Sequence, residues 1–76
     1  MLYEIYGTTN CNLCDKAKQL LLQHDMAYTF IDVAEDEDIT AAFFKRFPGV
    51  RTVPQIVVED EHIGGYHDLE KRLTFA

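Results

Sequence analysis

The sequence is poor in basic residues and has no long apolar run. Its seven lysines and arginines are outnumbered by thirteen aspartates and glutamates, which gives a formal net charge of −6. The seven cations are scattered along the chain, so no basic stripe is present that could hold a phosphate backbone. No apolar stretch approaches the roughly 18 residues that a membrane-spanning helix requires. We therefore expect neither nucleic-acid binding nor association with a membrane.

Cysteine, proline, glycine and tryptophan are scarce as well. The 76 residues include two cysteines, two prolines, four glycines and no tryptophan. Two cysteines cannot form the several disulfides of a small secreted scaffold, and a lone pair in a reducing compartment is usually catalytic or metal-binding. Glu4 interrupts the apolar pattern at the N-terminus, which is not typical of a signal peptide. We expect a cytoplasmic monomer with a single domain over residues 1–76.

The first half of the chain predicts a βαβ unit. Residues 2–6 favour a strand that ends at Gly7, residues 28–33 favour a second strand, and a helix from about 12 to 25 connects them. Such a unit places its two strands in parallel with a right-handed crossover. Cap-type residues at 8–10 precede the helix, and its expected apolar face consists of Leu13, Cys14, Ala17, Leu20 and Leu21.

The second half predicts a helix, a β-hairpin and a final helix. The acidic run at 35–38 is favoured at a helix N-terminus by the helix dipole, and we prefer this interpretation to a metal site. Residues 53–58 and 62–64 favour an antiparallel hairpin with its turn near 59–61, and a helix follows at about 68–73. The expected fold class is α/β, with a mixed four-stranded sheet, three helices and the order βαβαββα. The apolar residues expected to pack are Ile39, Ala42, Phe43 and Phe47, and then Leu69, Leu73 and Phe75.

Cys11 and Cys14 stand three positions apart at the predicted start of the first helix. Unpaired N–H groups and the dipole of a helix N-terminus favour a thiolate, and Cys-x-x-Cys motifs can lower the pKa of their first cysteine well below that of a free thiol. A second thiol one turn further on can attack the mixed disulfide that the first one forms. We therefore predict that Cys11 attacks and Cys14 resolves. Half of a zinc site is the alternative, although its further ligands would have to come from His24, His62 or His67, which lack paired spacing.

A second motif, Thr52-Val53-Pro54-Gln55, opens the predicted hairpin. Proline is tolerated at the start of a strand because it has no N–H to donate to the sheet. Most X–Pro bonds in folded proteins are trans, and nothing in the neighbouring residues argues otherwise. Local reasoning therefore predicts a trans proline.

Three blocks together resemble the glutaredoxin family: residues 11–14 (Cys-Asn-Leu-Cys), 52–56 (Thr-Val-Pro-Gln-Ile) and 63–69 (Ile-Gly-Gly-Tyr-His-Asp-Leu). The resemblance covers essentially the whole chain, with the blocks in the family's order and spacing. It implies a minimal thioredoxin fold and the reduction of disulfides, with glutathione as co-substrate. We expect no tightly bound cofactor and no metal. The resemblance to compact members suggests ribonucleotide reductase as the protein client.

The resemblance also implies a binding surface. Pro54 would be cis and lie beside Cys11, so that the backbone of Val53 can pair with an extended thiol peptide. The amides of His67 and Asp68 would hold the γ-glutamyl carboxylate of glutathione, and the Asp68 side chain would hold its ammonium. The full implied set is Leu13, Arg51, Thr52, Val53, Pro54, Gly65, Tyr66, His67 and Asp68.

Local alternatives stay open for several of these residues. Asp68 is also a suitable helix cap, and Arg51 can either pair with the glycyl carboxylate of glutathione or be a solvated surface cation. Tyr66 and His67 can be ordinary surface residues.

The sequence departs from the usual family motif between and before the cysteines. Asn12 and Leu13 replace the usual Pro-Tyr, and Thr8 stands where the family commonly has Lys or Arg. Two alternatives therefore remain. One is a glutaredoxin-like redoxin recharged by thioredoxin reductase, although such proteins usually have a tryptophan-rich tail. The other is an iron–sulfur or zinc-binding module in which Cys11 is a ligand between two chains.

Overall fold

A computed structural model describes residues 1–75, and the expected packing of the Phe75 side chain lies outside what it describes. The order βαβαββα, with four strands and three helices, is confirmed. The first helix ends two residues earlier than predicted, and the last begins two residues earlier. The elements are β1 (Leu2–Gly7), α1 (Asn12–Gln23), β2 (Ala27–Asp32), α2 (Glu37–Arg46), β3 (Gln55–Val58), β4 (Glu61–Gly64) and α3 (Tyr66–Phe75).

The mixed sheet has the strand order β2-β1-β3-β4. β1 is parallel to β2, with Ile5 opposite Phe30, and antiparallel to β3, with Ile5 opposite Ile56. β3 and β4 form the predicted hairpin, and both residues of its turn, Glu59 and Asp60, have positive φ. Because β1 ends where β3 begins, the segments after β1 and before β3 meet at one edge of the sheet. These two segments carry the cysteine motif and the proline motif.

Helices cover both faces of the sheet. Successive residues of a strand point to opposite faces, so β3 contributes to two separate cores and is buried along its whole length. The core beneath α1 and α3 contains Tyr3, Ile5, Ala17, Leu21, Ile56, Val58 and Leu69. The core beneath α2 contains Val33, Phe43, Phe47 and Val57. No helix within residues 1–75 is long and apolar enough to cross a membrane.

Two residues predicted to face the core are exposed. Leu13 is 38% exposed, and Ala42 is also exposed. Each precedes a buried residue, Cys14 or Phe43, and neighbouring residues of an α-helix point about 100° apart. The buried surface of each helix therefore includes fewer residues than the apolar pattern of the sequence predicted.

The two long helices have different caps. Asp36 caps α2 by accepting a hydrogen bond from the Ile39 N–H at 2.8 Å, which confirms that the acidic run is a helix start. The cap of α1 is Cys11, whose Sγ accepts from the Cys14 N–H. The expectation that residues 8–10 supply this cap is wrong, because the cysteine sulfur itself meets the free N–H group.

Gly7 lies where β1 approaches α1. It is buried, and a Cβ placed on it would lie 2.5 Å from Cys14 Sγ and 3.1 Å from a ring carbon of Phe30. The close approach of the strand to the second cysteine therefore requires a residue without a side chain.

We expect Gly7→Ala to lower the free energy of unfolding of the oxidised protein by about 1–3 kcal/mol, because Cys14 and Phe30 must move. Denaturant unfolding at a fixed redox state measures the change. Gly65→Ala is the matched control, since its Cβ would lie 3.4 Å from the Pro54 carbonyl oxygen, an ordinary contact. Equal stability of the two variants would contradict this account.

Candidate active site

Cys11 and Cys14 form a disulfide at the N-terminus of α1, with their Cα atoms 5.2 Å apart. Cys11 has an extended backbone, and its Sγ accepts a hydrogen bond from the Cys14 N–H at 3.1 Å. The two residues differ in burial: Cys11 is partly exposed, whereas Cys14 is fully buried next to Gly7. Of the two sulfurs, an external thiol or disulfide can therefore reach that of Cys11.

The surroundings of Cys11 favour a negative charge on its sulfur once the disulfide is reduced. The first N–H groups of α1 have no partner within the helix, and the helix dipole is positive at this end. A donor such as the Cys14 N–H stabilises a thiolate more than a neutral thiol. The carboxylate of Asp15 in the first turn opposes this charge, but it is exposed and lies 3.9 Å from the Lys18 ammonium.

The proline motif lies directly beside the disulfide. The Val53–Pro54 peptide bond is cis, and the Val53 carbonyl oxygen is 3.8 Å from Cys11 Sγ. The local prediction of a trans bond is wrong, because the trans preference of an X–Pro bond is small and tertiary context overrides it. The cis bond and the position beside Cys11, which the glutaredoxin resemblance implied, are confirmed.

The third sequence block adjoins the same loop. A Cβ on Gly65 would lie 3.4 Å from the Pro54 carbonyl oxygen, so the start of α3 and the proline motif are in contact distance. Asp68 Oδ2 accepts a hydrogen bond from the Gly65 N–H at 3.0 Å, and the Gly65 carbonyl accepts from the Leu69 N–H at 3.1 Å. This is one half of a capping box, in which a first-turn side chain reaches back to the residue before the helix, since Gly65 has no side chain to return the hydrogen bond. The remaining first-turn N–H groups have no partner within the helix.

The side chains of the predicted binding surface differ in how far they are exposed to solvent. Tyr66 packs against the core beneath α1 and α3, and the exposed His67 lies 3.8 Å from Glu70. The Tyr66 side chain is thus partly buried, whereas the His67 side chain is open to solvent. Leu13, Arg51 and Thr52 are exposed.

Two polar residues support the proline motif in a way that the sequence analysis missed. Gln55 is buried and is hydrogen-bonded to both Thr52 and His62. The sequence analysis treated His62 as a candidate zinc ligand and Gln55 as part of a motif. A glutamine in an otherwise apolar strand was the available signal, because a buried amide requires hydrogen-bond partners.

Tyr6, near the end of β1, accepts a hydrogen bond from the Arg46 guanidinium. Burial raises the pKa of Tyr6 above its ordinary value near 10, and the neighbouring Arg46 charge acts in the opposite direction. The phenol is therefore neutral at physiological pH.

No group of three or more His, Cys, Asp and Glu side chains is placed to hold a metal ion in the described part of the chain. The histidines named as possible zinc ligands lie on separate elements: His24 at the end of α1, His62 on β4 and His67 on α3. A zinc site within one chain therefore lacks a donor set among these residues.

The comparisons with known proteins agree with this arrangement. The chain matches the family model for glutaredoxin over residues 3–63. It is 40% identical over 67 residues to hybrid peroxiredoxin hyPrx5 of Haemophilus influenzae. The matched region covers 88% of this chain and 27% of that protein. It is 39% identical over 66 residues to glutaredoxin 1 of Rickettsia typhi, and this match covers 86% of this chain and 64% of the relative. The chain thus spans about a quarter of the first relative and just under two thirds of the second.

Solved structures show the same similarity. The crystal structure of a buckwheat glutaredoxin–glutathione complex matches with a TM-score of 0.79 at 30% identity, covering 96% of this chain and 69% of that one. The match confirms the minimal thioredoxin fold that the resemblance implied. Because the family model covers most of the sequence and the fold agrees, the chain belongs to the glutaredoxin family.

Proposed function

We propose that this chain is a dithiol–disulfide oxidoreductase that reduces protein disulfides and is itself reduced by glutathione. The observation that carries the proposal is the disulfide between partly exposed Cys11 and buried Cys14 at the start of a helix, beside the Val53 carbonyl. A helix N-terminus favours the attacking thiolate, and the buried partner is within bonding distance of it.

The difference in burial assigns the roles of the two cysteines. The Cys11 thiolate attacks one sulfur of the substrate disulfide, and the other sulfur leaves as a thiolate that takes up a proton. The Cys14 thiolate then attacks Cys11 Sγ, which releases the second substrate thiol and forms the Cys11–Cys14 disulfide. The substrate gains two electrons, and the enzyme loses them.

Two glutathione molecules restore the dithiol. The first attacks the accessible sulfur of Cys11, which forms a glutathione mixed disulfide and releases the Cys14 thiol. The second attacks the glutathione sulfur of this mixed disulfide, which releases Cys11 as a thiolate and glutathione disulfide as the product. Cys14 Sγ is buried, so neither step needs an external thiol to reach it.

The surface between the proline motif and α3 fits glutathione. The unpaired first-turn N–H groups of α3 can hold its γ-glutamyl carboxylate, and the exposed Asp68 carboxylate can accept from its ammonium while it caps Gly65. The Val53 backbone supplies a strand-like partner for the cysteine residue of glutathione, and exposed Arg51 supplies a cation for its glycyl carboxylate. The glutathione in the related buckwheat structure supports this choice of ligand.

The proposed protein client rests on the family resemblance, and the proposed location rests on the cysteine pair. Ribonucleotide reductase is the proposed protein client, because the chain resembles compact glutaredoxins. We propose a cytoplasmic monomer, because a lone redox cysteine pair is typical of reducing compartments. Reduction by thioredoxin reductase is the competing proposal, favoured by Asn12, Leu13 and Thr8 in place of the usual residues.

Serine substitutions test the roles of the two cysteines. Cys11→Ser should reduce the rate with both a protein disulfide and a glutathionylated peptide to the uncatalysed background, because it removes the nucleophile. Cys14→Ser should lose the reduction of protein disulfides but keep that of the glutathionylated peptide, since a second glutathione can resolve the mixed disulfide. NADPH consumption coupled to glutathione reductase measures both. Full activity of Cys11→Ser would show that another residue attacks.

The electron source is tested with two separate reductases. We expect NADPH consumption with glutathione and glutathione reductase, and only background with thioredoxin reductase. The same disulfide substrate is used in both reactions, so the client is held constant. Turnover with thioredoxin reductase alone would contradict the glutathione proposal and leave the cysteine chemistry intact.

The role of Asp68 is tested by Asp68→Asn, which keeps an oxygen for the Gly65 N–H and removes the charge. We expect the KM for glutathione to rise roughly two- to fivefold, because an exposed ion pair contributes up to about 1 kcal/mol. Glu70→Gln, an exposed carboxylate on the same helix without a proposed role, is the control. The same KM for both variants would reduce Asp68 to a helix cap.

A further inference from the structure

Gln55 is the first residue of β3 and follows the cis proline directly. Its side chain is buried, with 6% of the residue exposed, and both ends of its amide have partners. Nε2 donates to the Thr52 carbonyl at 3.0 Å and lies 3.3 Å from Thr52 Oγ1. Oε1 lies 2.7 Å from His62 Nε2. The glutamine thus connects the proline motif to the edge strand β4.

These partners allow one orientation of the amide. The Thr52 carbonyl can only accept, so the Gln55 nitrogen must face it and the Gln55 oxygen must face His62. His62 Nε2 then carries a proton and donates to Gln55 Oε1. The contact therefore requires a proton on Nε2, which a neutral His62 ring carries in its Nε2–H tautomer.

His62 is held from its other side by the core beneath α2. Its ring packs against the Phe47 ring with centroids 4.5 Å apart. Phe47 is buried in that core. The ring that is hydrogen-bonded to Gln55 thus also packs against a buried side chain, although His62 itself is at the surface.

The chain of contacts ends at the reactive sulfur. Thr52 is bonded to Gln55 on one side and is followed by Val53, whose carbonyl oxygen is 3.8 Å from Cys11 Sγ. Thr52 and Val53 lie between α2 and β3, outside any helix or strand, so no ladder of backbone hydrogen bonds fixes them. The Gln55 side chain donates a hydrogen bond to the Thr52 carbonyl and so ties this segment to β3.

We propose that Gln55 and His62 are positioning residues, which hold Thr52 so that the Val53 backbone is presented to the thiol substrate at Cys11. The proposal rests on the proposed function and adds two residues to it that do not touch substrate. The competing explanation is that both residues only stabilise the fold. The two differ in one respect: positioning affects reactions that use the Val53 backbone and leaves the intrinsic reactivity of Cys11 unchanged.

The tautomer is tested first, in the wild-type protein. Nitrogen-15 chemical shifts of the neutral His62 ring should show Nε2 protonated and Nδ1 unprotonated. A neutral ring protonated at Nδ1 would overturn the proposal, because Nε2 could not donate to Gln55.

Two variants test the positioning. Gln55→Glu keeps an acceptor for His62 and replaces the donor to Thr52 by a second acceptor, so the loop should lose its fixed position. His62→Phe keeps a ring against Phe47 and removes the donor to Gln55. His24→Phe, an exposed histidine at the end of α1, is the matched control.

Each reduced protein is reacted with a glutathionylated peptide and, separately, with iodoacetamide. The peptide uses the Val53 backbone, whereas iodoacetamide needs only the Cys11 thiolate. We expect the second-order rate with the peptide to fall about tenfold in Gln55→Glu, the equivalent of one hydrogen bond of about 1.4 kcal/mol. His62→Phe should show a fall of roughly threefold, and His24→Phe none. The rate with iodoacetamide should stay within about twofold in all three.

Peptide and iodoacetamide rates that fall together would show a general loss of structure and overturn the proposal. So would an unchanged peptide rate in both Gln55→Glu and His62→Phe. A wild-type protein that fails to react with the peptide would refute the proposed function itself, which distinguishes that failure from the failure of the positioning role. If Gln55→Glu does not fold, the peptide rate of His62→Phe and the tautomer of His62 decide whether the positioning role is correct.

Discussion

The close approach of Gly7 to the buried sulfur of Cys14 is the constraint on which the unequal exposure of the two cysteines depends. It brings the end of β1 so close to α1 that one cysteine is inside the protein and the other, one turn earlier, is at the surface. The unequal burial of two chemically identical side chains is the basis of the separate roles that we propose for them. A symmetric, equally exposed pair could form the same disulfide but would not distinguish attack from resolution.

The topology of the sheet brings the proline motif and the start of α3 to the same edge as the cysteines. β1 ends and β3 begins at the same edge, so the segment before β3 lies beside the start of α1. The β3–β4 hairpin returns the chain to that edge, where α3 begins next to Pro54. Three segments distant in sequence thus meet because strands of a small sheet share their ends. The two cores on opposite faces hold β1 and β3 in register.

The sequence predicted the fold well, because its signals were local and consistent. Alternating strand-forming residues, a Gly–Pro-free helix and an acidic helix start each specify their own element, and their order leaves one simple arrangement. The errors occur where the outcome depends on contacts across the fold. The exposed position of Leu13 depends on which side of α1 meets the sheet. The cis bond before Pro54 lies beside Cys11, which is 42 residues from Val53 in sequence. Cys11 as the cap of its own helix follows from neither propensity nor pattern.

The site was predictable in part for the same reason. The cysteine pair is a local motif with its own electrostatics, and its chemistry can be read from spacing alone. The hydrogen bond between Gln55 and His62 behind the proline motif cannot be read from the sequence. The two residues are seven positions apart across a hairpin with a shifted register, which gives no recognisable pattern. The resemblance to a family implied which residues would surround a ligand, and it implied nothing about the hydrogen bonds that Gln55 makes to Thr52 and His62.

The cap formed by Cys11 has a consequence for the course of the reaction. A divalent sulfur has lone pairs whether it is a thiolate, part of a mixed disulfide or part of the internal disulfide, so it can accept from the Cys14 N–H in each state. The first turn of α1 consequently needs no new hydrogen-bond partner as the sulfur exchanges one bond for another. In the proposed mechanism, the Cys11 sulfur therefore changes its covalent partner at a helix cap that needs no new hydrogen-bond donor.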